Sequence, residues 1–444
     1  VKNKRIDYRE LSSLLIQSWT VSWPMILIMA FQFFISLTDV FIAGRIGKNV
    51  QASVGLVSQV YFIFIVIATA SNVGTVSIIS KLYGSGDRER YRNAIYSILL
   101  TIFIAGIFLT VLGVILSPVI INMLNVPQSI KTISIPLTQI YALGVVFQYV
   151  LLNTNGILRA SKMVKHTLFT MFVVCVSNIL LNFYFVFYTP LHYNGIAAST
   201  TVSIFIGAAI NYAFVRSIIK GGVQYVFYYV KRILDIGWPS ALVQIGWQLG
   251  TMFLFIIIGS LPEKNVEVMA ALTNGIRIES AIFLPAFAFN MANAVIVGNL
   301  LGEGNKEKAF KSGLVTAFMG VAGVTVMTIL VVFFARDVSE ILSKDLIVIN
   351  ESVLYIYISM ISEPFMAFSV ILGGGLNGAG DTKSVMVRII MGMWLVRVPL
   401  AYILGIVLGF GAAGIWWSMN ASILFQMILI ARRYFKKEWL SYGV

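Results

Sequence analysis

Twice in succession this chain lays down six apolar runs, and the second set follows the first at a nearly constant offset. Gly84-Ser85-Gly86-Asp87-Arg88-Glu89-Arg90 returns 218 positions later as Gly302-Glu303-Gly304-Asn305-Lys306-Glu307-Lys308. Trp23-Pro24 recurs as Trp238-Pro239, and Arg159-Ala160-Ser161 lies 219 before Gly378-Ala379-Gly380. Asn194-Gly195-Ile196-Ala197 is answered by Ala413-Gly414-Ile415-Trp416. Four landmarks in one order, at offsets of 215 to 219, mark a duplicated half of about 215 residues. In so apolar a chain, a duplicated half points to a transporter whose two lobes enclose a pathway.

A spanning helix needs about 20 mostly apolar residues. The first half supplies six runs, near 14–43, 52–80, 94–117, 132–158, 166–188 and 195–219. The second supplies six more, near 236–260, 268–300, 311–335, 347–375, 385–408 and 411–431. Hydrophobic residues make up 59% of the chain and charged ones 11%. Soluble domains carry roughly a quarter charged residues, so the class is integral membrane. The expected architecture is all-α, with 12 transmembrane helices in two pseudo-symmetric six-helix bundles. The boundaries read as a first lobe over 1–220, a linker over 221–235 and a second lobe over 236–444. Aromatic Tyr225, Phe227, Tyr228 and Tyr229 beside Lys231 and Arg232 suggest a linker lying amphipathically at the membrane surface.

The net charge of +14 would suggest nucleic acid in a soluble protein, but here the basic residues follow topology. The N-terminus, the loops after spans 2, 4, 6, 8 and 10, and the C-terminus carry 24 lysines and arginines, Lys4 and Arg5 among them, whereas the opposite loops carry six. Both termini are therefore expected in the cytoplasm, the protein in the cell membrane, and the halves parallel. No nucleic-acid partner and no cleavable signal peptide are expected. Cys175 is the single cysteine, and His166 and His192 are the only histidines, so a thiol or histidine metal centre is not expected. No Gly-x-x-x-x-Gly-Lys-Ser/Thr loop is present, which argues against ATP-driven pumping, and no nucleophile–base constellation suggests an enzyme.

Charges inside spans cost a few kcal/mol each unless paired, protonated or wetted, so they are the first functional candidates. Of 18 acids, only Asp39, Glu279 and Glu363 fall well inside, with Arg277 and Arg397 as the internal cations. Asp39 sits late in span 1, where it could reach the outer interface or serve as an ion site. Enclosure among apolar residues penalises its charged form, which suits a proton carrier. Oxygen partners would favour a monovalent cation instead. Asn178 and Asn182 share one face of span 5 at i, i+4, and Thr200 offers a hydroxyl on span 6. These could equally be interhelical bridges. Arg277 and Glu279, at i, i+2, cannot face each other, so Arg397 is the expected partner of Glu279 or Glu363. That grouping reads either as a buried ion pair or as part of a substrate site. Pro24 and Pro239 bend matching positions of spans 1 and 7, which suits paired gating helices or a shared packing kink.

These residues together resemble the multidrug and toxic compound extrusion (MATE) family. The resemblance rests on the two six-span halves and on Leu37-Thr38-Asp39-Val40-Phe41-Ile42-Ala43-Gly44-Arg45. It rests also on the paired Gly-x-Gly-[Asp/Asn] loops, Gly378-Ala379-Gly380-Asp381-Thr382 and Asn194-Gly195-Ile196-Ala197-Ala198-Ser199-Thr200. It implies a secondary antiporter that exports organic cations by alternating access in exchange for protons or sodium ions. In similar proteins the first-lobe cation site falls on positions matching Asp39, Asn178, Asn182 and Thr200. One branch carries aspartate where Asn182 stands, so this chain has a single carboxylate there and sodium coupling is less expected than proton coupling. Glu279 and Glu363 match acids of similar bacterial sequences, and Pro24 matches a proline proposed to bend on protonation of the aspartate. No cofactor is expected beyond the coupling ion; the partners are small organic cations and membrane lipids, and the chain is expected to act as a monomer. The rival reading is a lipid-linked oligosaccharide flippase, which would need a cationic cavity; three internal acids against two arginines weigh against it. A membrane enzyme or scaffold is the remaining alternative.

Overall fold

The structure, a computed structural model, describes residues 8–442. Every span becomes a helix, and no strand occurs among the described residues. Among the described residues ten helices are long and apolar enough to cross a membrane, and the spans number up to 12 when each of two bent pairs is taken as one. In the first half the spans are Tyr8–Ile46, Lys48–Ser85, Arg88–Met123, the pair Gln128–Leu143 and Val145–Ala160, Val164–Tyr188 and Asn194–Ile218. In the second half they are Phe227–Gly259, Asn265–Gly302, Lys306–Phe333, the pair Leu346–Ser359 and Glu363–Gly378, Thr382–Val407 and Gly411–Phe435. Several helices exceed 35 residues. At 1.5 Å per residue that is over about 50 Å, longer than a bilayer core of about 30 Å, so the apolar runs mark only their middles. Lys4 and Arg5 lie outside the described residues.

The repeated landmarks have local physical causes. Gly86 and Gly304 take left-handed φ of 73° and 76°, where a side chain would be strained. Asp87 and Asn305 follow them as N-caps, accepting from the backbone N–H of Arg90 at 3.0 Å and Lys308 at 3.2 Å. The breaks also repeat. Span 4 bends by 45° at Gly144, and span 10 bends by 55° just before Glu363, where Pro364 removes a backbone donor at the start of the second piece.

The chain divides into two compact units, residues 27–238 and residues 239–443 with the segment up to Ile26. The units therefore differ from the two lobes read from the sequence, because each takes in the start of the other half's first helix. Within the second unit, the first turns of span 1 are held by Ser18 Oγ against Thr316 Oγ1 at 2.7 Å and by Lys311 Nζ donating to Glu10 Oε1 at 2.7 Å. Within the first unit, the start of span 7 packs Tyr229, Ile233 and Ile236 into the core of spans 2, 3 and 4. Gly74 permits this, since a Cβ there would lie 2.7 Å from the carbonyl oxygen of Ile233. The expected linker is correspondingly shorter. Helix resumes at Phe227, and the preceding residues are pinned to span 3 by Gln224 N–H on Asn93 Oδ1 at 2.9 Å and Val226 N–H on Ser97 Oγ at 2.8 Å. Tyr229 is a core residue, not a surface aromatic.

Candidate functional site

In the first unit, Asp39 is 9% exposed and takes its hydrogen bonds from side chains of spans 5 and 6. Asn182 Nδ2 donates to Asp39 Oδ1 at 2.5 Å, and Thr200 Oγ1 donates to Asp39 Oδ2 at 3.2 Å. Asn178 Nδ2 in turn donates to Thr200 Oγ1 at 3.0 Å. The donors thus run from Asn178 through Thr200 towards the carboxylate. Hydrogen bonds to a charged group contribute about 1.5–3 kcal/mol each, so the arrangement stabilises a carboxylate that apolar burial alone would penalise. The motif around Asn194 explains how span 6 comes close enough: a Cβ on Gly195 would lie 2.8 Å from the backbone of Phe185 and Val186. Around the site lies an apolar shell that includes Ile42, Ala43, Leu137, Val186 and Ile196.

Two further features were not legible in the pattern. Tyr141, buried and one turn before the Gly144 break, places its phenol beside Asp39 and Thr200, and its ring centroid lies 5.5 Å from that of Tyr61. Tyrosine carries no charge to flag it in a span, so only the span register could have pointed to it. The amide oxygens of Asn178 and Asn182 are also buried and accept no hydrogen bond among the described residues. Orphaned buried acceptors next to a carboxylate are the donor chemistry that a cation uses.

The second unit holds a separate charged group. Tyr355, fully buried, donates its hydroxyl to Glu279 Oε1 at 2.5 Å and packs edge-on to Trp416 with centroids 4.7 Å apart. Glu363, 1% exposed, begins the second piece of span 10, and neither carboxylate oxygen has a hydrogen-bond partner among the described residues. Arg397 is 2% exposed, yet it makes no ion pair within 4.0 Å to either acid. This corrects the expected cross-span pair. Its Nε donates instead to Ser422 Oγ at 2.8 Å, and its guanidinium lies 4.8 Å from the centre of the Trp247 ring. Residues 392–397 form a π-helical turn that ends on Arg397, two residues before Pro399, an irregularity of the kind that shifts the side-chain register of a helix. Arg397 still acts on both acids through its charge. Arg277 is exposed on the unit's surface, apart from the buried Glu279 on the same helix. Pro24 and Pro239 are both buried and lie at or within two residues of the points where spans 1 and 7 pass from one unit to the other. No group of three or more histidine, cysteine or acidic residues capable of holding a metal occurs among the described residues.

Ten to twelve apolar helical spans among the described residues of a duplicated chain are the architecture of a multi-pass membrane protein. A family model, MatE, matches residues 24–184 and 239–403, and the chain belongs to this family, whose members are transporters and not enzymes. It is 24% identical over 438 residues to the uncharacterized transporter YisQ of Bacillus subtilis, covering 96% of this chain and 95% of that protein. It is 26% identical over 422 residues to a probable multidrug resistance protein NorM of Thermotoga maritima, covering 92% and 89%. Among solved structures, a MOP superfamily transporter from Pyrococcus furiosus superposes with a TM-score of 0.87 at 19% identity, covering 98% and 97%. A MATE protein in its straight conformation superposes at 0.89 with 20% identity, covering 96% and 97%. These structural likenesses establish the shared fold.

Proposed function

We propose that this chain is a secondary antiporter that exports small organic cations, drugs among them, across the cell membrane in exchange for protons. The observation that carries the reading is the Asp39 network: one buried carboxylate held ready by Asn182 and Thr200, with Asn178 behind it. In the outward-open state Asp39 takes up the ion, which changes local charge and hydrogen bonding and releases the substrate. In the inward-open state the ion leaves and the regenerated carboxylate again favours the substrate-bound form. Coupling requires only that ion and substrate prefer different states of one two-state machine. Pro24 and Pro239 are the proposed flexing points. A cationic substrate would be held by carboxylate charge and aromatic faces, and broad specificity follows if apolar area dominates. The relatives named for multidrug resistance support the substrate class, and the distribution of basic loops supports cytoplasmic termini. The chain is proposed to work as a monomer.

A sodium ion is the second reading, and the orphaned amide oxygens of Asn178 and Asn182 favour it. One carboxylate with two amide oxygens and a hydroxyl supplies oxygen ligands for a monovalent cation. Efflux of a cationic dye from proteoliposomes, driven by a proton gradient and then by a sodium gradient, separates the readings. Proton drive for the wild type and none for Asp39→Asn supports Asp39 as the proton site. Drive by sodium alone makes the asparagines and Thr200 ligands. Coupling that survives in Asp39→Asn refutes the assignment and moves it to Glu279 and Glu363.

A further inference from the structure

A cavity of about 590 Å³ opens in the first unit at the loop joining spans 2 and 3, well away from Asp39 in sequence. Its walls are Leu82, Tyr83, Arg88, Tyr91, Arg92 and Ile218. The acid at its rim, Asp87, is already engaged, accepting from Arg90 N–H at 3.0 Å and facing Arg90 Nε at 3.4 Å. Arg92 is not so satisfied. Arg92 donates through one terminal nitrogen to the carbonyl of Lys220 at 2.7 Å, while its buried Nε finds no acceptor among the described residues. Lys162 adds a third cation nearby, 5.8 Å from the centre of the Tyr83 ring.

The duplication provides an internal control. At the repeat offset of 218, Arg92 corresponds to Phe310 and Arg88 to Lys306; at 219, Ile218 corresponds to Lys437. In the second unit that place is filled by protein. Phe310 stacks on Tyr434 with centroids 5.3 Å apart, Lys437 lies 4.3 Å over the Phe310 ring, and fully buried Trp439 packs 4.8 Å from Tyr434. The tail after span 12 plugs its own half. In the first half the chain runs on into span 7, and the matching place is hollow, with a guanidinium where the second half has a ring.

A hollow of this size suits a small ligand, and two arginines favour an anion with oxygens set for paired donors. Apolar Leu82 and Ile218 line it beside the arginines, and it lies at a helix end of a membrane-spanning chain. Basic pockets between spanning helices on the cytoplasmic side bind anionic headgroups. We propose that this cavity binds the phosphate of an anionic phospholipid headgroup, with Arg88 and Arg92 pairing with its oxygens and Leu82 and Ile218 receiving the root of the acyl chains.

The test is native mass spectrometry of the delipidated full-length protein titrated with phosphatidylglycerol, phosphatidylcholine and inorganic phosphate. Phosphatidylglycerol should bind at least tenfold more tightly than phosphatidylcholine. With about a fivefold effect for each basic side chain near the membrane surface, Arg88→Gln should weaken it about fivefold and the Arg88→Gln/Arg92→Gln pair about 25-fold. Arg92→Phe, which copies the second half, should abolish the preference. Arg88 is exposed, so its substitution tests the site even if altering Arg92 loosens the loop it holds. Equal binding of the two lipids, or undiminished phosphatidylglycerol binding in Arg88→Gln, overturns the proposal. Displacement of phosphatidylglycerol by an equal concentration of inorganic phosphate overturns the lipid as its source.

Discussion

Arg397 faces two buried acids without touching either, so its removal should expose an imbalance that a second substitution can correct. Both N···O separations exceed 4.0 Å, which at an effective dielectric constant of about 20 limits each attraction to below about 4 kcal/mol. Removing one partner of a buried charge pair costs about 3–5 kcal/mol. The looser geometry here places Arg397→Met near 3 kcal/mol, with part of that from the lost contact over Trp247, about 0.5–2 kcal/mol. Methionine keeps much of the apolar volume, so the loss reports mainly on charge. Glu363→Gln in the same chain removes a carboxylate that has no other donor, and the double variant should regain about 1–2 kcal/mol. The assay is thermal unfolding of wild type, both single variants and the double variant in one detergent, read as a double-mutant cycle. An Arg397→Met protein as stable as wild type, or a cycle showing no recovery, would refute the claim that this arginine balances the acids.

Other outcomes follow from packing. Gly275→Ala would set a Cβ 2.1 Å from the ring of Tyr355, which is fully buried and wedged against Trp416. It should destabilise the protein by about 1–3 kcal/mol and impair transport by breaking the Tyr355–Glu279 hydrogen bond; dye efflux and melting check both, and unchanged efflux would mean that bond is dispensable. Trp439→Ala should cost about 3–5 kcal/mol, since the side chain is fully buried and donates to the Tyr434 carbonyl at 2.9 Å; a melting curve like that of wild type would show that the tail adds nothing. Thr200→Val keeps the shape of its site while breaking the hydrogen bonds to Asp39 and from Asn178. It should slow coupled efflux at least tenfold while Thr200→Ser stays near wild type, and equal rates for the two would remove the hydroxyl from the mechanism.

The spans, the repeat and the position of Asp39 were open to reading because hydropathy and isolated charge are one-dimensional signals. Asn178 and Asn182 were placed on one face by their spacing alone, and the helix does hold them together. The rest depended on three dimensions. Tyr141 and Tyr355 are neutral, so nothing in an apolar run distinguishes them from packing aromatics. The π-helical turn that ends on Arg397 leaves no mark in the hydropathy, and its contacts with Ser422 and Trp247 could not be anticipated. The boundary between units was hidden for a similar reason: spans 1 and 7 are unbroken helices, and a continuous apolar run gives no sign that its two ends belong to different cores.

The division of spans 1 and 7 between two cores bears on how such a chain is made. Residues 8–26 are made well before the partners that hold them, Lys311 and Thr316 among them, which lie about 300 residues further along the chain. The first helix must therefore wait in the membrane half-seated until the second half is inserted. Neither half expressed alone contains a complete core, so cutting the chain at the linker should give fragments that are stable only when made together.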